Sequence, residues 1–144
     1  MRIQFQIEKM SGYLAASFTG VGVPGAALQR FELISEHCKR TNNNKLLIDF
    51  TGFKLNATTI DRYLAGIKSQ IFARYRLKVA VICTPEQIDP EKFGVLVAQN
   101  RGVDVEVFTD FRAAEEWLLK SPGSRDQRPT GGNAAPTEGE AGRL

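Results

Sequence analysis

The sequence predicts an α/β domain with a single small, mixed, mostly parallel sheet and packed helices, in the order ββαβαβαβα. Three observations predict it. The first twenty residues hold two alternating apolar runs separated by the turn-like "KMSG". Three further apolar runs, "KLLIDF", "LKVAVIC" and "VDVEVF", alternate with stretches of helical periodicity. Capping residues and helix breakers fall between these stretches. Strands alternating with helices imply parallel pairing with right-handed crossovers, and the opening pair adds one antiparallel hairpin.

Each element has a local reason. "RIQFQIE" places Ile3, Phe5 and Ile7 on one face, as in a half-buried strand, and "YLAASFT" is its hairpin partner. Helix one is predicted from about Ala26, with Leu28, Phe31, Ile34 and Cys38 inward, until "TNNN" stops it. "KLLIDF" is a continuous apolar run, as expected of a central strand covered on both faces. The second helix has the cleanest stripe, Ile60, Tyr63, Leu64, Ile67 and Ile71. Thr58 stands three residues before Asp61, the spacing of a capping box. "LKVAVIC" is another buried strand. For the third helix, Asp89 is the expected N-cap, Pro90 the first residue and Phe93, Leu96 and Val97 the inward face. "VDVEVF" is the last strand. The last helix is capped by Asp110 and turns Trp117 and Leu118 inward.

The chain has 144 residues, 42% hydrophobic and 24% charged, an ordinary globular balance and enough for one core. The expected domain is residues 1–120. From Ser121 on, "SPGSRDQRPTGGNAAPTEGEAGRL" has almost no large apolar side chain and reads as a disordered tail. No run approaches the ~20 apolar residues of a membrane span. The N-terminus reads as a strand and not as a signal peptide, and two cysteines make no disulfide framework, so the expected location is the cytoplasm. A net charge of +3 is too small to argue nucleic-acid binding. Basic residues do gather at the amino end of the parallel strands, at Lys39, Arg40, Lys45, Arg74, Arg76, Lys78 and Arg101. Helix C-termini favour cations there without any partner.

"GVGVPG", residues 20–25, is a literal G-x-G-x-x-G after a strand, with Asp49 further along the chain. A dinucleotide site needs free backbone N–H groups at the helix N-terminus, and Pro24 removes one. A single sheet of this size also leaves no second mononucleotide half. The expectation is a structural turn and no nucleotide cofactor. The sole histidine, His37, excludes a multi-histidine metal site. His37 and Cys38 belong at the opposite end of the sheet from Cys83, so no Cys–His pair is expected, and Cys38 reads as core.

The segments "LLIDFTGF" leading into a helix, "KVAVIC" followed by "DPEKFG", and the closing "NRGVDVEVFTDFRAAEEWL" resemble the SpoIIAA-like branch of the STAS domain superfamily, the anti-anti-sigma-factor fold. The resemblance covers residues 1–119. It implies no enzymatic activity and a regulatory module that binds a protein, or, since the fold is related to CRAL-TRIO, a small apolar or lipid ligand as carrier or sensor. It places Thr58 at the position of a phosphoacceptor serine in D-S-S-G-L. Asn56, Ala57 and Thr59 depart from that motif, and a helix cap is the favoured role of Thr58.

Open α/β sheets bind ligands outside the carboxyl ends of their strands. The candidate rim for a partner or ligand is therefore Thr51, Lys54, Asn56, Thr58, Thr59, Cys83 and Thr84. An enzyme using Cys83 ranks last, because no base is expected near it. A large closed apolar cavity would favour the ligand carrier, and a filled core with a flat polar rim the protein-binding module.

Overall fold

The computed structural model describes residues 2–22, 24–54 and 58–120. The predicted tail, residues 121–144, lies outside them. Five strands form one sheet in chain order: β1 (Arg2–Lys9), β2 (Leu14–Val21), β3 (Lys45–Lys54), β4 (Lys78–Ile82) and β5 (Asp104–Phe108). β1 pairs antiparallel with β2, and the other pairings are parallel. The predicted mixed, mostly parallel sheet is thus the observed one.

The helices are α1 (Pro24–Leu28), α2 (Phe31–Arg40), α3 (Thr59–Lys68), α4 (Gln70–Arg74), α5 (Phe93–Asn100) and α6 (Phe111–Leu119). Two predicted helices are each divided. A turn at Gln29–Arg30 separates α1 from α2, and Ser69 ends α3 and begins α4. Crossovers of one hand between neighbouring strands stack α1 to α5 on one face. There Ala27, Phe31, Ile34, Cys38, Phe72 and Ala98 meet Leu46, Ile48 and Val79. Among the described residues the other face carries α6 alone, whose Ala114 and Leu118 meet Leu47, Ala80 and Ile82. The period-2 alternation along β3 and β4 makes this possible, since successive residues serve opposite cores. Ile3, Phe5 and Ile7 of the edge strand pack onto the first core as predicted. No described helix is long and apolar enough to cross a membrane.

Three local expectations are corrected. β3 does not stop at Phe50 but runs to Lys54, because Phe50 and Phe53 stay anchored around Phe18 and the pairing with β2 continues. Asp89 and Pro90 do not open the third helix. Asp89 to Lys92 form a turn, Lys92 adopts φ 52°, and α5 begins at Phe93, whose N–H Asp89 Oδ2 accepts at 2.8 Å. On α5, Ala98 and Val95 face the core, and Leu96 faces solvent.

Candidate functional site

β2 and β3 outrun their neighbours. β3 pairs with β4 only as far as Asp49 opposite Ile82, yet stays paired with β2 through Val21 opposite Lys54. The carboxyl end of the sheet is therefore a stepped edge, with a projecting ribbon beside the shorter β4 and β5. Thr51 and Lys54, expected on a loop, stand on this ribbon and are exposed. Thr51 donates its backbone N–H and its hydroxyl to Asp49 Oδ1, at 2.8 and 2.6 Å. Asn56 lies outside the described residues.

Thr58 is the N-cap of α3 in the predicted capping box. Its Oγ1 accepts from Asp61 N at 3.1 Å, and Asp61 Oδ2 accepts from Thr58 N at 2.9 Å. Thr59 is the first residue of the helix. The exposed cap leads into the largest departure from expectation. The first three residues of the predicted stripe face outward: Ile60 is 70% exposed, Tyr63 41% and Leu64 43%, and Leu96 of the neighbouring α5 is 49% exposed, whereas Ile67 is half-buried and Ile71 packs on the first core as expected. Tyr63 stacks on Phe93 with centroids 6.4 Å apart, which joins the two helices across this surface. The buried positions around the junction are instead Gly66, Ser69 and Phe72. A Cβ on Gly66 would meet Val97 at 2.7 Å and the Gly94 carbonyl at 2.8 Å, so α3 and α5 touch through glycines.

Beneath these helices lies a cavity of about 190 Å³. It is open toward solvent and is neither the closed chamber nor the filled core that the sequence left as alternatives. Cys83 lines it and is half-buried. Burial, and secondarily the charge of Asp49, push its thiol up to about 12. Thr84 leads into a single 3-10 turn, Pro85–Gln87, and its N–H donates to Gln87 Oε1 at 2.7 Å. Gln87 Nε2 donates to the carbonyls of Phe50 and Phe53 at 2.9 and 2.7 Å. Gln87 therefore ties the β4–α5 connection to the projecting ribbon. It was absent from the expected rim, although Thr84-x-x-Gln87 has capping-box spacing that was readable in the sequence. The structure thus places Cys83 at the cavity, Thr58 at the α3 stripe, Thr84 in the turn behind the cavity, and Thr51 and Lys54 on the ribbon.

The glycine motif runs from the end of β2 into α1, and Pro24 is the first helical residue, as expected. Gly20 is a β2 residue at φ 107°, paired with Ile3 and Phe53, and Gly22 N donates to Lys54 O at 3.3 Å. Val23 lies outside the described residues. At the opposite end of the sheet His37 is half-buried, with Nδ1 3.5 Å from Arg40 Nη2, and Cys38 is fully buried. The basic residues there include two that meet a helix end directly. Lys78 Nζ donates to Trp117 O at 2.8 Å and Lys45 Nζ to Lys120 O at 3.2 Å.

No protein-family model matches the sequence, and no curated protein does. An anti-sigma factor antagonist from Mycobacterium paratuberculosis is similar in structure, with a TM-score of 0.53, 13% identity, and coverage of 81% of this chain and 94% of that one. This chain has a STAS-type, SpoIIAA-like fold. An uncharacterized DUF3478-family protein with a SpoIIAA-like fold from Shewanella loihica PV-4 is 25% identical over 81% of this chain and 94% of that one, with a TM-score of 0.47.

Proposed function

We propose that this SpoIIAA-like chain is a non-enzymatic regulatory module that captures a protein partner at the carboxyl-end rim, along the outward face of α3. The observation that carries this reading is the exposed stripe of Ile60, Tyr63 and Leu64, continued by Leu96. Scattered surface apolar residues are ordinary, but a joined row on two helices costs solvation and marks interaction surfaces. Residues at i, i+3 and i+4 anchor one helix face in a partner's groove. The fold neighbour is named for antagonising an anti-sigma factor, and the partner proposed here is likewise a protein. Binding rather than catalysis is supported by Cys83, whose thiol stays neutral and poorly nucleophilic at ordinary pH. Thr58 acts as the cap that fixes the start of the docking helix, and Thr51, Lys54 and Thr84 supply the polar margin.

The test is cross-linking and capture from the native cell with the full chain and with Ile60→Ser/Leu64→Ser. The variant keeps its fold, because both side chains already face water. Loss of one or more specific partners by about tenfold or more, a difference of about 1.4 kcal/mol or more, is expected. A pair of charge reversals at the opposite end, Arg74→Glu/Arg76→Glu, leaves capture unchanged. Equal capture by the wild type and the stripe variant would refute the reading.

A further inference from the structure

We infer that the cavity beneath α3 and α5 is a binding site for a compact, uncharged, apolar molecule of about single-ring aromatic size. The inference concerns a different surface from the docking stripe and does not depend on it.

The gap has a cause in the sequence. Ala65 and Gly66 of α3 and Ser69 at its C-cap line the cavity, while the bulky Ile60, Tyr63 and Leu64 of α3 face solvent. The Gly66–Gly94 contact draws α3 against α5 and leaves space above Ile48, Val81 and Val107. Protein interiors keep few voids larger than a water molecule. About 190 Å³ is well above that size, and an engineered apolar cavity of roughly 150 Å³ takes up benzene.

The wall chemistry selects the class. Ser69 Oγ donates its proton to Gly66 O at 2.7 Å. Gln87 spends both its donors and its acceptor on Phe50, Phe53 and Thr84. Cys83 is held neutral by the same burial that raises its pKa. Most of the remaining wall is aliphatic and aromatic, with Phe31 and Phe72 among its rings. A water molecule needs two to four polar partners, and this wall offers it few. A carboxylate or ammonium seated against the apolar part of this wall would give up hydration there. The charged groups Arg62, Asp89 and Lys92 also line the cavity. Asp89 already accepts from Phe93 N.

The experiment titrates the full chain with toluene, and separately with benzoate, the same ring bearing a charge. Melting temperature and backbone amide NMR shifts are read for both. Toluene is expected to raise the melting temperature by a few degrees and to shift the amides of Ala65, Val81 and Cys83. Benzoate at equal concentration is expected to give under a tenth of that response. Ala65→Leu, which fills the space from the helix side, is expected to abolish the toluene response without lowering the melting temperature. Should that variant not fold, Val107→Leu fills the space from the sheet side and carries the same expectation. No response to toluene, shifts confined to the exposed Ile60–Leu64 surface, or a wild-type response in the filled variant would overturn the site. A benzoate response matching that of toluene would overturn the uncharged class.

Discussion

The two helical faces of the sheet are built by opposite rules. On the α6 face one helix covers the sheet and its polar ends are closed. Buried Tyr13 donates to Glu115 Oε2 at 2.7 Å, and Lys78 and Lys45 donate to carbonyls at the end of α6. Lys78 Nζ also lies 4.4 Å from the centre of the Trp117 ring. These amines meet carbonyls of the last turn and C-cap of α6, where the helix dipole favours a cation. On the α3–α5 face, glycines form the contact between helices, bulky side chains stand in solvent, and a cavity remains beneath. The α6 face converts most of its apolar area into stability, although Phe111 and Leu119 at the two ends of α6 are exposed. The other face leaves part of that area exposed to solvent.

Substitutions can break or sharpen this contrast. The largest effect is expected at the glycine contact. Gly66→Ala gains helix propensity worth about 1 kcal/mol, but its Cβ would sit 2.8 Å from the Gly94 carbonyl, a backbone atom that cannot rotate away. Overpacking of this kind costs about 1–3 kcal/mol. Net destabilisation of up to about 2 kcal/mol, read as a lower urea midpoint, is expected together with loss of the toluene response. A variant as stable as the wild type would mean that α3 and α5 are free to separate.

On the α6 face, Lys78→Met keeps the apolar stem and removes the amine. Hydrogen bonds made by charged groups contribute about 1.5–3 kcal/mol, and the low end of that range is expected here because part of the site is open to water. Urea unfolding measures it. Binding of toluene stays as in the wild type, because the two faces share no side chain at these sites. An altered toluene response would show that the faces are coupled through β4.

Much of this architecture was legible in the sequence. The alternation in β1, the buried runs of β3 and β4, and the caps at Thr58 and Asp110 depend on neighbours within a few residues, and they stand where expected. The burial of the α3 stripe was not legible. Period 3.6 shows that a helix has an apolar side, not that this side meets the core. Here Gly66 and Gly94, 28 positions apart, decide the orientation, and only tertiary packing brings them together. The same holds for Lys45 and Lys78, whose carbonyl partners lie 75 and 39 residues away. The extension of β3 through "TGFK" was hidden because Thr and Gly read as a loop, while Phe53 carries the packing.

A smaller effect of opposite sign is expected on α2. Ser35 is fully buried and its Oγ has no hydrogen-bond partner among the described residues. Ser35→Ala removes an unpaired hydroxyl at little cost in volume and is expected to stabilise by about 1 kcal/mol. An unchanged or lower urea midpoint would mean that the hydroxyl is satisfied.

Near neutral pH the buried acids contribute no pH dependence, and the sign follows from their shifts. Burial raises Cys38 from 9 to about 11, and Cys83 rises to about 12. Tyr13 rises above 10, through burial first and its bond to Glu115 second. Each folded pKa exceeds the unfolded one, so this stability is complete below pH 9 and is lost as pH rises through 9 to 12. Urea midpoints are expected to agree at about pH 7 and about pH 8.5 and to fall at about pH 10.5. Tyr13→Phe should flatten that fall on the α6 side and Cys83→Ala on the cavity side. A fall beginning near pH 8 would contradict the burial of the thiols.

The smallest effect is expected for Thr58→Asp, at the residue where a helix cap and a phosphorylation switch give different outcomes. The capping box is complete, with Oγ1 accepting from Asp61 N and Asp61 Oδ2 accepting from Thr58 N. Thr58→Ala removes one half of it and costs about 1 kcal/mol. Thr58→Asp replaces one good cap with another and adds negative charge where the helix dipole favours it. Asp61 is already anionic three residues away, so its repulsion offsets part of that gain and the net change lies within about 0.5 kcal/mol. As a cap alone, Thr58 gives both variants wild-type partner capture in the cross-linking assay, since each leaves the stripe of Ile60, Tyr63 and Leu64 exposed. As a phosphorylation switch, it gives a different pattern: Thr58→Ala captures normally, Thr58→Asp loses the partner, and protein from cells carries phosphate on Thr58. The cap reading requires the first pattern, and the second would move regulation of the α3 face to its first turn.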